Sequence, residues 1–316
     1  MNINQLKYFV ELARHKSFSK SASRLNISQP ALSLQIQKLE EEFEYQLIDR
    51  TKKPLALTAE GELFYEKALK IVQLVEDLGQ LSLEMEEQVE GTLRIGIIPT
   101  LAPYLIPLFI KQLNRKYPKL FLDVTELNTE DIITRLTYNE LDAGILSTPL
   151  KAKNIGFVPL FYERFFLYVS EHHRLFAQDS VNLELLPRNE LWYIREGNCF
   201  QNQVNSFCRI PDPKDSDLSF RYVSYSIESL KRIVENQGGM TFIPELATIN
   251  IPSEYENMIK EIEGETPVRE ISAAYLRTTG LKKLVRLLLD EVIDCIPARM
   301  KEKPDVKPLD TQLRLS

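Results

Sequence analysis

The stretch from Ala22 to Leu47, ASRLNISQPALSLQIQKLEEEFEYQL, decides the N-terminal fold. Its apolar residues recur at three- and four-residue spacing, which predicts helices, and this spacing is broken once, at NISQP. Ser28 can cap a new helix there, and Pro30 falls in its first turn, where a backbone N–H has no partner inside the helix. The stretch therefore predicts two helices joined by a tight turn, the second running from about Gln29 to Phe43.

A short basic loop follows the second helix. Residues 48–58, IDRTKKPLALT, place positive side chains between two strand-like ends, a pattern typical of a wing. Thr58 then opens a long helix with a heptad rhythm that needs a partner helix, which predicts at least a dimer. The heptad positions are Phe64, Ala68, Ile71, Val75, Leu78 and Met85.

Beyond Gly91 the pattern changes. Strand-like runs such as Thr92–Pro99 and Leu120–Leu127 alternate with helical patterns, which predicts parallel βαβ units. The predicted fold class is α+β multidomain. The predicted units are an all-α winged helix-turn-helix at residues 1–58, a coiled-coil linker helix at 59–90, an α/β effector domain at 91–300 and a disordered tail at 301–316.

Charge is distributed unevenly along the 316 residues. The whole chain has a net charge of -6, yet residues 1–60 contain nine Lys or Arg and seven Asp or Glu, a net charge of +2. Five basic residues and no acidic residue lie from Arg14 to Lys38. A phosphate-binding surface is therefore expected in this segment, with an ordinary solvated helix face as the alternative.

The sequence carries no targeting, membrane or metal motif. The N-terminus lacks a signal pattern, and the longest apolar run, Leu101–Ile110, contains two prolines and is about half a membrane span. We expect a cytoplasmic protein with reduced thiols and no membrane contact. His172 and His173 are adjacent, and CxxC and HExxH spacings are missing, so neither a metal nor another cofactor is expected.

The polar face of the second helix suits the edges of DNA bases. Gln29, Ser33 and Gln37 share one face, and glutamine can pair with adenine while serine can bond to either kind of edge. Basic wing side chains suit phosphates. The residues expected to contact double-stranded DNA are Gln29, Pro30, Ser33, Gln37, Arg50, Lys52 and Lys53. The alternative is a helical hairpin with a polar outer face.

Three segments resemble the DNA-binding domain of LysR-type transcription regulators: LNISQPALS at 25–33, LIDR at 47–50 and LTAEG at 57–61. Ile48 departs from the phenylalanine usual in that family. The resemblance implies a winged helix-turn-helix, a dimerising linker helix and an effector domain of two lobes like a periplasmic binding protein. Lobe I would comprise about residues 91–161 and 269–300, and lobe II about residues 162–268.

Two cysteines stand nine residues apart, at Cys199 and Cys208. Gly197 and Asn198 predict a turn into a helix, whose N-terminus would stabilise a Cys199 thiolate able to attack a peroxide. A helix would hold the two Cα atoms about 13 Å apart, whereas a disulfide needs about 7 Å or less. Oxidation would therefore force the helix to unwind. The alternative is two half-buried cysteines that act as small apolar residues.

The surroundings of the cysteines are similar to a hydrogen-peroxide-sensing branch of the LysR family, for example in IGIIPT at 95–100, GNC at 197–199 and IPELA at 243–247. This similarity implies that Cys199 is peroxidatic and Cys208 resolving. The residues implied at the peroxide or the thiolate are Thr100, Thr129, Asn198, Gln203 and Arg277. Asn198 replaces a common histidine and Asn202 an often acidic residue, and an amide cannot relay a proton.

The leading interpretation is a non-enzymatic transcription regulator switched by hydrogen peroxide through a Cys199–Cys208 disulfide. Its implied partners are double-stranded DNA, hydrogen peroxide, further copies of the chain in a dimer or tetramer, RNA polymerase and a thioredoxin or glutaredoxin reductant. Two alternatives stay open. One is a LysR-type regulator that binds a small metabolite between its lobes, and the other is a thiol peroxidase joined to a DNA anchor.

Overall fold

The structure is a computed structural model that describes residues 1–84, 89–194, 199–208, 224, 226–278 and 283–313. The chain divides into two compact units, Met1–Gln88 and Val89–Ser316. Each unit has its own apolar core.

The first unit is a helix-turn-helix with a wing. Its elements are α1 (Ile3–His15), α2 (Phe18–Arg24), α3 (Gln29–Phe43), β1 (Ile48–Asp49), β2 (Ala56–Leu57) and α4 (Ala59–Glu84). The Ser28 side chain accepts a hydrogen bond from the Ala31 backbone N–H at 3.3 Å, which caps α3. Leu32, Ile36 and Leu39 point from α3 into the core and are fully buried. The predicted second helix is therefore confirmed with its bounds.

The wing is a short antiparallel pair, β1 with β2, joined to α3 by one carboxylate. Glu40 Oε1 accepts hydrogen bonds from the backbone N–H groups of Leu47 and Ile48, at 2.9 and 3.1 Å. Because these two residues lead into β1, Glu40 fixes the direction in which the wing leaves α3.

Helix α4 carries an apolar stripe that unit 1 does not cover. Leu63, Leu74 and Leu78 are well exposed, and Ile71 is exposed on the same side. The predicted seam is wrong in part, because Ala68 is buried in the core of unit 1 and does not face outward. The exposed stripe is displaced from the predicted one by the packing of α4 against α1.

The second unit is built on a mixed sheet. Its elements are β3 (Glu90–Ile97), α5 (Ala102–Lys116), β4 (Lys119–Glu126), α6 (Thr129–Thr137), β5 (Ala143–Thr148), β6 (Ile155–Val169), β7 (Ser180–Val181), β8 (Leu191–Trp192), α7 (Cys199–Phe207), α8 (Ile227–Gln237), β9 (Met240–Pro244), α9 (Ser253–Glu256), β10 (Ile259–Ile262), β11 (Val268–Leu276), α10 (Lys283–Cys295) and α11 (Ala298–Lys301). The sheet order is β4-β3-β5-β11-β6-β10-β7, with β9 pairing β6 and β8 pairing β9.

The sheet is parallel only in part. β3 pairs in parallel with β4 and β5, as the alternating pattern predicted, but β11 is antiparallel to both β5 and β6. A strand that returns from the far end of the sequence can pair in either direction, and the local pattern does not encode that choice.

Two apolar cores give this unit two lobes. One contains residues of β3, β5, α5, α6 and α10, and the other contains residues of β9, α7 and α8 with the second half of β6. The long strand β6 is buried along most of its length, and its first half belongs to the first core and its second half to the second. The predicted fold class, a helix-turn-helix followed by a two-lobed α/β domain, is confirmed.

The prediction of a disordered tail from residue 301 is wrong for the residues described there. Residues 302–313 lack regular secondary structure but pack on unit 2, where Thr311 is fully buried. Leu309 N–H donates to the Val268 carbonyl at 2.9 Å, and the Thr311 hydroxyl donates to the Pro149 carbonyl at 2.9 Å. Composition predicted disorder, but these hydrogen bonds hold the segment in place, and composition does not reveal them.

Within the described part of the chain, none of the helices combines the length and the apolar character that crossing a bilayer requires. The same residues include no cluster of three His, Cys, Asp or Glu side chains arranged to hold a metal ion.

Candidate functional site

The outer face of α3 presents polar side chains beside its N-terminus. Gln29, Pro30 and Gln37 are exposed and Ser33 is partly exposed, opposite the buried apolar face. Gln37 Nε2 donates to Glu41 Oε1 at 2.9 Å, so this amide already has a partner on the helix. The N-terminal end of the face carries the uncharged polar side chains of Gln29 and Ser33, which can form hydrogen bonds with base edges.

The three basic wing residues have different surroundings. Arg50 donates to Glu40 Oε2 of α3 at 2.8 Å, and its guanidinium lies 5.7 Å from the centre of the Phe18 ring of α2. It therefore joins the wing to α3 and α2. Lys52 and Lys53 are exposed, with the Lys52 ammonium 3.9 Å from Asp49. The two lysines therefore extend furthest into solvent, whereas Arg50 also has a structural role.

Cys199 is the first residue of α7, and its sulfur contacts a threonine, Thr129, that shares a sheet edge with Thr100. Thr100 and Thr129 each come three residues after a strand, β3 and β4 respectively, and these strands are parallel neighbours. Both threonines therefore lie at the same edge of the sheet, and both are buried. The Thr129 hydroxyl and Cys199 Sγ form a hydrogen bond of 3.0 Å, and only 3% of Cys199 is exposed.

The cation of this site is Arg269, in β11. Its Nη1 donates to the Thr100 hydroxyl at 3.0 Å, and its Nε donates to Glu163 at 2.8 Å. The guanidinium also lies 5.0 Å from the centre of the Phe200 ring, next to Cys199 in α7. Arg269 thus joins Thr100 to the helix that carries the cysteine.

The pKa of the Cys199 thiol is set by burial. Burial raises it to about 11, while the Thr129 hydrogen bond and the charge of Arg269 act in the opposite direction. The predicted lowering of this pKa is therefore wrong for this conformation, because the loss of hydration outweighs the charges that favour the thiolate. At neutral pH the resting Cys199 is a thiol.

Cys208 lies just beyond the far end of α7. The helix is continuous from Cys199 to Phe207, and Cys208 N–H donates to the Val204 carbonyl at 2.8 Å. Helical rise then separates the two cysteine Cα atoms by about 13 Å. Both cysteines are free and buried, and burial raises the pKa of Cys208 while Arg188 opposes that shift. The predicted conflict between helix and disulfide is present in the structure.

Gln203 lies one turn after Cys199 on α7 and is fully buried. Its Nε2 donates to the Ser147 hydroxyl at 3.1 Å and to the Leu309 carbonyl at 3.0 Å. These contacts hold α7 against β5 and the tail. Asn198, also predicted at the site, lies outside the described residues.

Arg277 does not take the position that the sequence predicted. It is exposed at the end of β11, and its Nε donates to the Ile155 carbonyl at 2.8 Å. The arginine whose charge favours the Cys199 thiolate is Arg269, which lies within β11 and eight residues before Arg277. The sequence signal that could have identified Arg269 is a charged residue inside a strand whose other residues are mostly apolar, since such a charge must meet a buried partner.

Family models match both units. The model described as "Bacterial regulatory helix-turn-helix protein, lysR family" matches residues 3–62, and "LysR substrate binding domain" matches residues 86–294.

Relatives of similar length carry related names. A protein of Haemophilus influenzae named "Hydrogen peroxide-inducible genes activator" is 33% identical over 250 residues, which cover 79% of this chain and 82% of the relative. The "DNA-binding transcriptional dual regulator OxyR" of Escherichia coli K12 is 32% identical over 304 residues, covering 95% and 96%.

Solved structures of OxyR proteins are also similar to this chain. A full-length OxyR from Pseudomonas aeruginosa with a cysteine-to-aspartate substitution is 27% identical and superposes with a TM-score of 0.77, covering 94% of this chain and 99% of that one. A reduced OxyR from Porphyromonas gingivalis, 28% identical, gives a TM-score of 0.61 over 68% of this chain and 98% of that one. The chain belongs to the LysR family of DNA-binding transcription regulators and is similar to its OxyR members.

Proposed function

We propose that the chain is a hydrogen-peroxide-responsive regulator of transcription, switched by a reversible disulfide between Cys199 and Cys208. The observation that carries the proposal is the 3.0 Å contact between Cys199 Sγ and the Thr129 hydroxyl, beside the buried charge of Arg269. The name of the Haemophilus influenzae relative, which refers to hydrogen peroxide, supports the same ligand.

The first step would be attack of the Cys199 thiolate on one oxygen of hydrogen peroxide. An S–O bond forms, the O–O bond breaks, and the leaving hydroxide takes a proton to become water, so Cys199 becomes a sulfenic acid. Thr129 and Thr100 supply hydroxyl groups for the peroxide oxygens, and Arg269 supplies positive charge where the hydroxide leaves. The high resting pKa of Cys199 means that only a small fraction is thiolate at any moment.

The second step would join the two cysteines. The Cys208 thiolate attacks the Cys199 sulfur, an S–S bond forms, and the sulfenic oxygen leaves as water after taking a proton. Over both steps two thiols are oxidised and one peroxide is reduced to two water molecules. A thiol reductant of the thioredoxin or glutaredoxin type would restore the thiols.

Closing this bond would disturb the core of lobe II. Phe200, Val204 and Cys208 all pack in that core, and the Phe165 ring lies 5.1 Å from Phe200 and 5.2 Å from Phe207. Because α7 must unwind to bring the sulfurs together, these contacts would be lost and remade. A chemical event at one sulfur would thereby become a change in packing, as a switch requires.

The output would be a change in DNA binding by a self-associated protein. The polar face of α3 and the wing would contact double-stranded DNA, and the exposed stripe of α4 would pair with a second copy in a dimer or tetramer. A rearrangement of the effector domains within the assembly would change the distance between its DNA-binding domains. The assembly would then fit half-sites of a different spacing. RNA polymerase is the further partner through which the regulator would act.

Mass spectrometry of peptides after one equivalent of hydrogen peroxide tests the switch. We expect the peptides of Cys199 and Cys208 to be joined with the loss of two hydrogens. C199S should keep DNA binding and lose the response to peroxide, and C208S should stop at the sulfenic acid. C295S is the matched control, because Cys295 lies on α10 and its replacement should leave the disulfide intact. A C199S protein that still responds to peroxide would exclude the mechanism.

A further inference from the structure

The C-terminal segment of residues 308–312, here called the tail segment, runs along the redox helix α7. It is anchored at two points: the Leu309 backbone N–H donates to the Val268 carbonyl at 2.9 Å, and the Thr311 side-chain hydroxyl donates to the Pro149 carbonyl at 2.9 Å. A further hydrogen bond, from Gln312 N–H to the Asp310 carboxylate at 2.7 Å, makes a tight turn at its end. These hydrogen bonds fix the position of the tail segment on unit 2.

Two neighbouring side chains of α7 hold this segment. Asn202 Nδ2 donates to the Thr311 carbonyl at 3.1 Å, and Gln203 Nε2 donates to the Leu309 carbonyl at 3.0 Å. The Gln203 amide also donates to Ser147 at 3.1 Å, so it joins α7, the tail segment and the end of β5. Both acceptors on the tail segment are main-chain carbonyls, two residues apart.

These contacts depend on the helical form of α7. Asn202 and Gln203 lie between Cys199 and Cys208, in the part of the chain that must unwind before the two sulfurs can meet. Unwinding turns the two amides away from the tail carbonyls, because side-chain direction follows the backbone of the helix. A contact made in the reduced form and lost in the oxidised form stabilises the reduced form by the whole of its free energy.

We infer that the tail segment is a positioning element of the redox site, held by Asn202 and Gln203 while the cysteines are reduced and released when they join. The inference rests on the disulfide switch proposed above. Its consequence is that the tail segment makes the disulfide harder to form and easier to reduce. The amide of Asn202 matters for this role, because an ionised carboxylate at the same position could not donate the hydrogen bond to the Thr311 carbonyl.

The first test measures the equilibrium between dithiol and disulfide in the full chain, in buffers of reduced and oxidised dithiothreitol. The variants are a chain that ends at Lys307, N202A, and both changes together. Each hydrogen bond contributes modestly, so we expect the truncation to shift the equilibrium about tenfold toward the disulfide, which equals about 30 mV for a two-electron couple. N202A should shift it severalfold in the same direction.

N205A is the matched control. Asn205 lies on the same helix, is exposed, and uses its side chain to accept a hydrogen bond from Gln201 at 2.9 Å. Its replacement removes an amide of the same size from α7 and leaves the contacts to the tail carbonyls in place. The bond from Gln201 is an i, i+4 contact of α7 that contributes little, so N205A should shift the equilibrium by about twofold at most, less than N202A. Because Asn202 acts through the tail segment, adding N202A to the truncated chain should cause little further change.

The second test is hydrogen exchange of the peptide that contains Leu309, before and after peroxide. The amide of Leu309 should exchange slowly in the reduced protein and at least tenfold faster in the disulfide form. In N202A the reduced protein should already show part of this increase.

The outcomes separate the two proposals. If peroxide does not join Cys199 and Cys208 in the wild-type chain, the proposed function fails and the inference fails with it. If the disulfide forms but truncation leaves the equilibrium unchanged, or if Leu309 is equally protected in both forms, the tail inference alone is overturned.

Discussion

Arg269 and Glu163 lie directly opposite each other in β11 and β6, and neither side chain is exposed to solvent. Their ion pair, with nitrogen–oxygen distances of 2.8 Å, is completed by Leu246 N–H, which donates to the second Glu163 oxygen at 3.1 Å. This pairing aims the remaining donor of Arg269 at Thr100 and keeps a positive charge near Cys199.

The variant E163Q should destabilise unit 2 strongly. It leaves Arg269 buried without a counter-charge, and removing one partner of a buried pair costs about 3 to 5 kcal/mol. Urea unfolding of the full chain, followed by the fluorescence of Trp192, measures the change. E261Q is the control: Glu261 is largely exposed and pairs with Arg164 at 3.6 Å, so its loss should have a small effect. Equal stabilities of the two variants would contradict this account of the pair.

The isosteric variant T129V should make Cys199 less reactive. The Thr129 hydroxyl favours the thiolate, so its removal should raise the pKa of Cys199 further above about 11 and lower the thiolate fraction. We expect alkylation of Cys199 by iodoacetamide at about pH 8 to slow severalfold, since such a hydrogen bond contributes about 1 kcal/mol. The rate should be measured against pH in a C208S/C295S background.

The control for T129V is T137V on the same helix. Thr137 donates its hydroxyl to the Ile133 carbonyl at the far end of α6. Its replacement should leave the alkylation profile of Cys199 unchanged. If T129V reacts as fast as T137V over the whole pH range, Thr129 does not act on the thiol.

Features set by nearby residues were predictable from the sequence. Ser28 and Pro30 define the start of α3 because a helix cap involves residues within one turn. The separation of Cys199 and Cys208 followed from helical rise alone. Thr100 and Thr129 were assigned through the family resemblance, and their shared position follows from parallel strands that end at one edge of the sheet.

Features set by long-range pairing were not predictable in this way. Arg269 meets Glu163 across 106 residues of sequence, and the register of β11 on β6 places these two side chains opposite each other. Arg277, assigned by similarity, lies on the exposed end instead. The order of the tail depends on main-chain contacts such as the one between Leu309 and Val268, which leave no mark on composition.

Glu245 should give the protein part of its acid sensitivity. Burial raises the pKa of this carboxyl, but hydrogen bonds from Arg164 and Arg299 outweigh burial and hold it below 4.5. A lowered folded-state pKa contributes stability that is present above pH 4.5 and lost as the pH falls through the folded value.

E245Q should therefore be less stable than the wild type near neutral pH, with the difference shrinking as the pH falls below about 4.5. Urea midpoints recorded at several pH values measure this difference. E254Q is a control, because Glu254 is exposed in α9. A difference between E245Q and wild type that stays constant over the acid range would show that the charge of Glu245 does not matter.

Substitutions of Lys53 and Gln29 should have different effects on DNA binding, because we expect Lys53 to contact phosphates and Gln29 to contact base edges. Lys53 is exposed in the wing, so K53A should weaken binding to all DNA sequences alike and reduce the salt dependence by about one phosphate contact. Q29A should instead cost about 1 to 3 kcal/mol on the specific site and little on random DNA, because we propose that Gln29, at the start of α3, contacts base edges.

R50A should differ from both, because Arg50 joins the wing to α3 through Glu40 at 2.8 Å. Its loss should lower the thermal stability of unit 1 as well as its affinity for DNA, whereas K53A should leave the melting temperature unchanged. Binding titrations at several salt concentrations, together with thermal melts of the same proteins, distinguish these effects. If R50A binds and melts like K53A, the contact with Glu40 does not stabilise the wing.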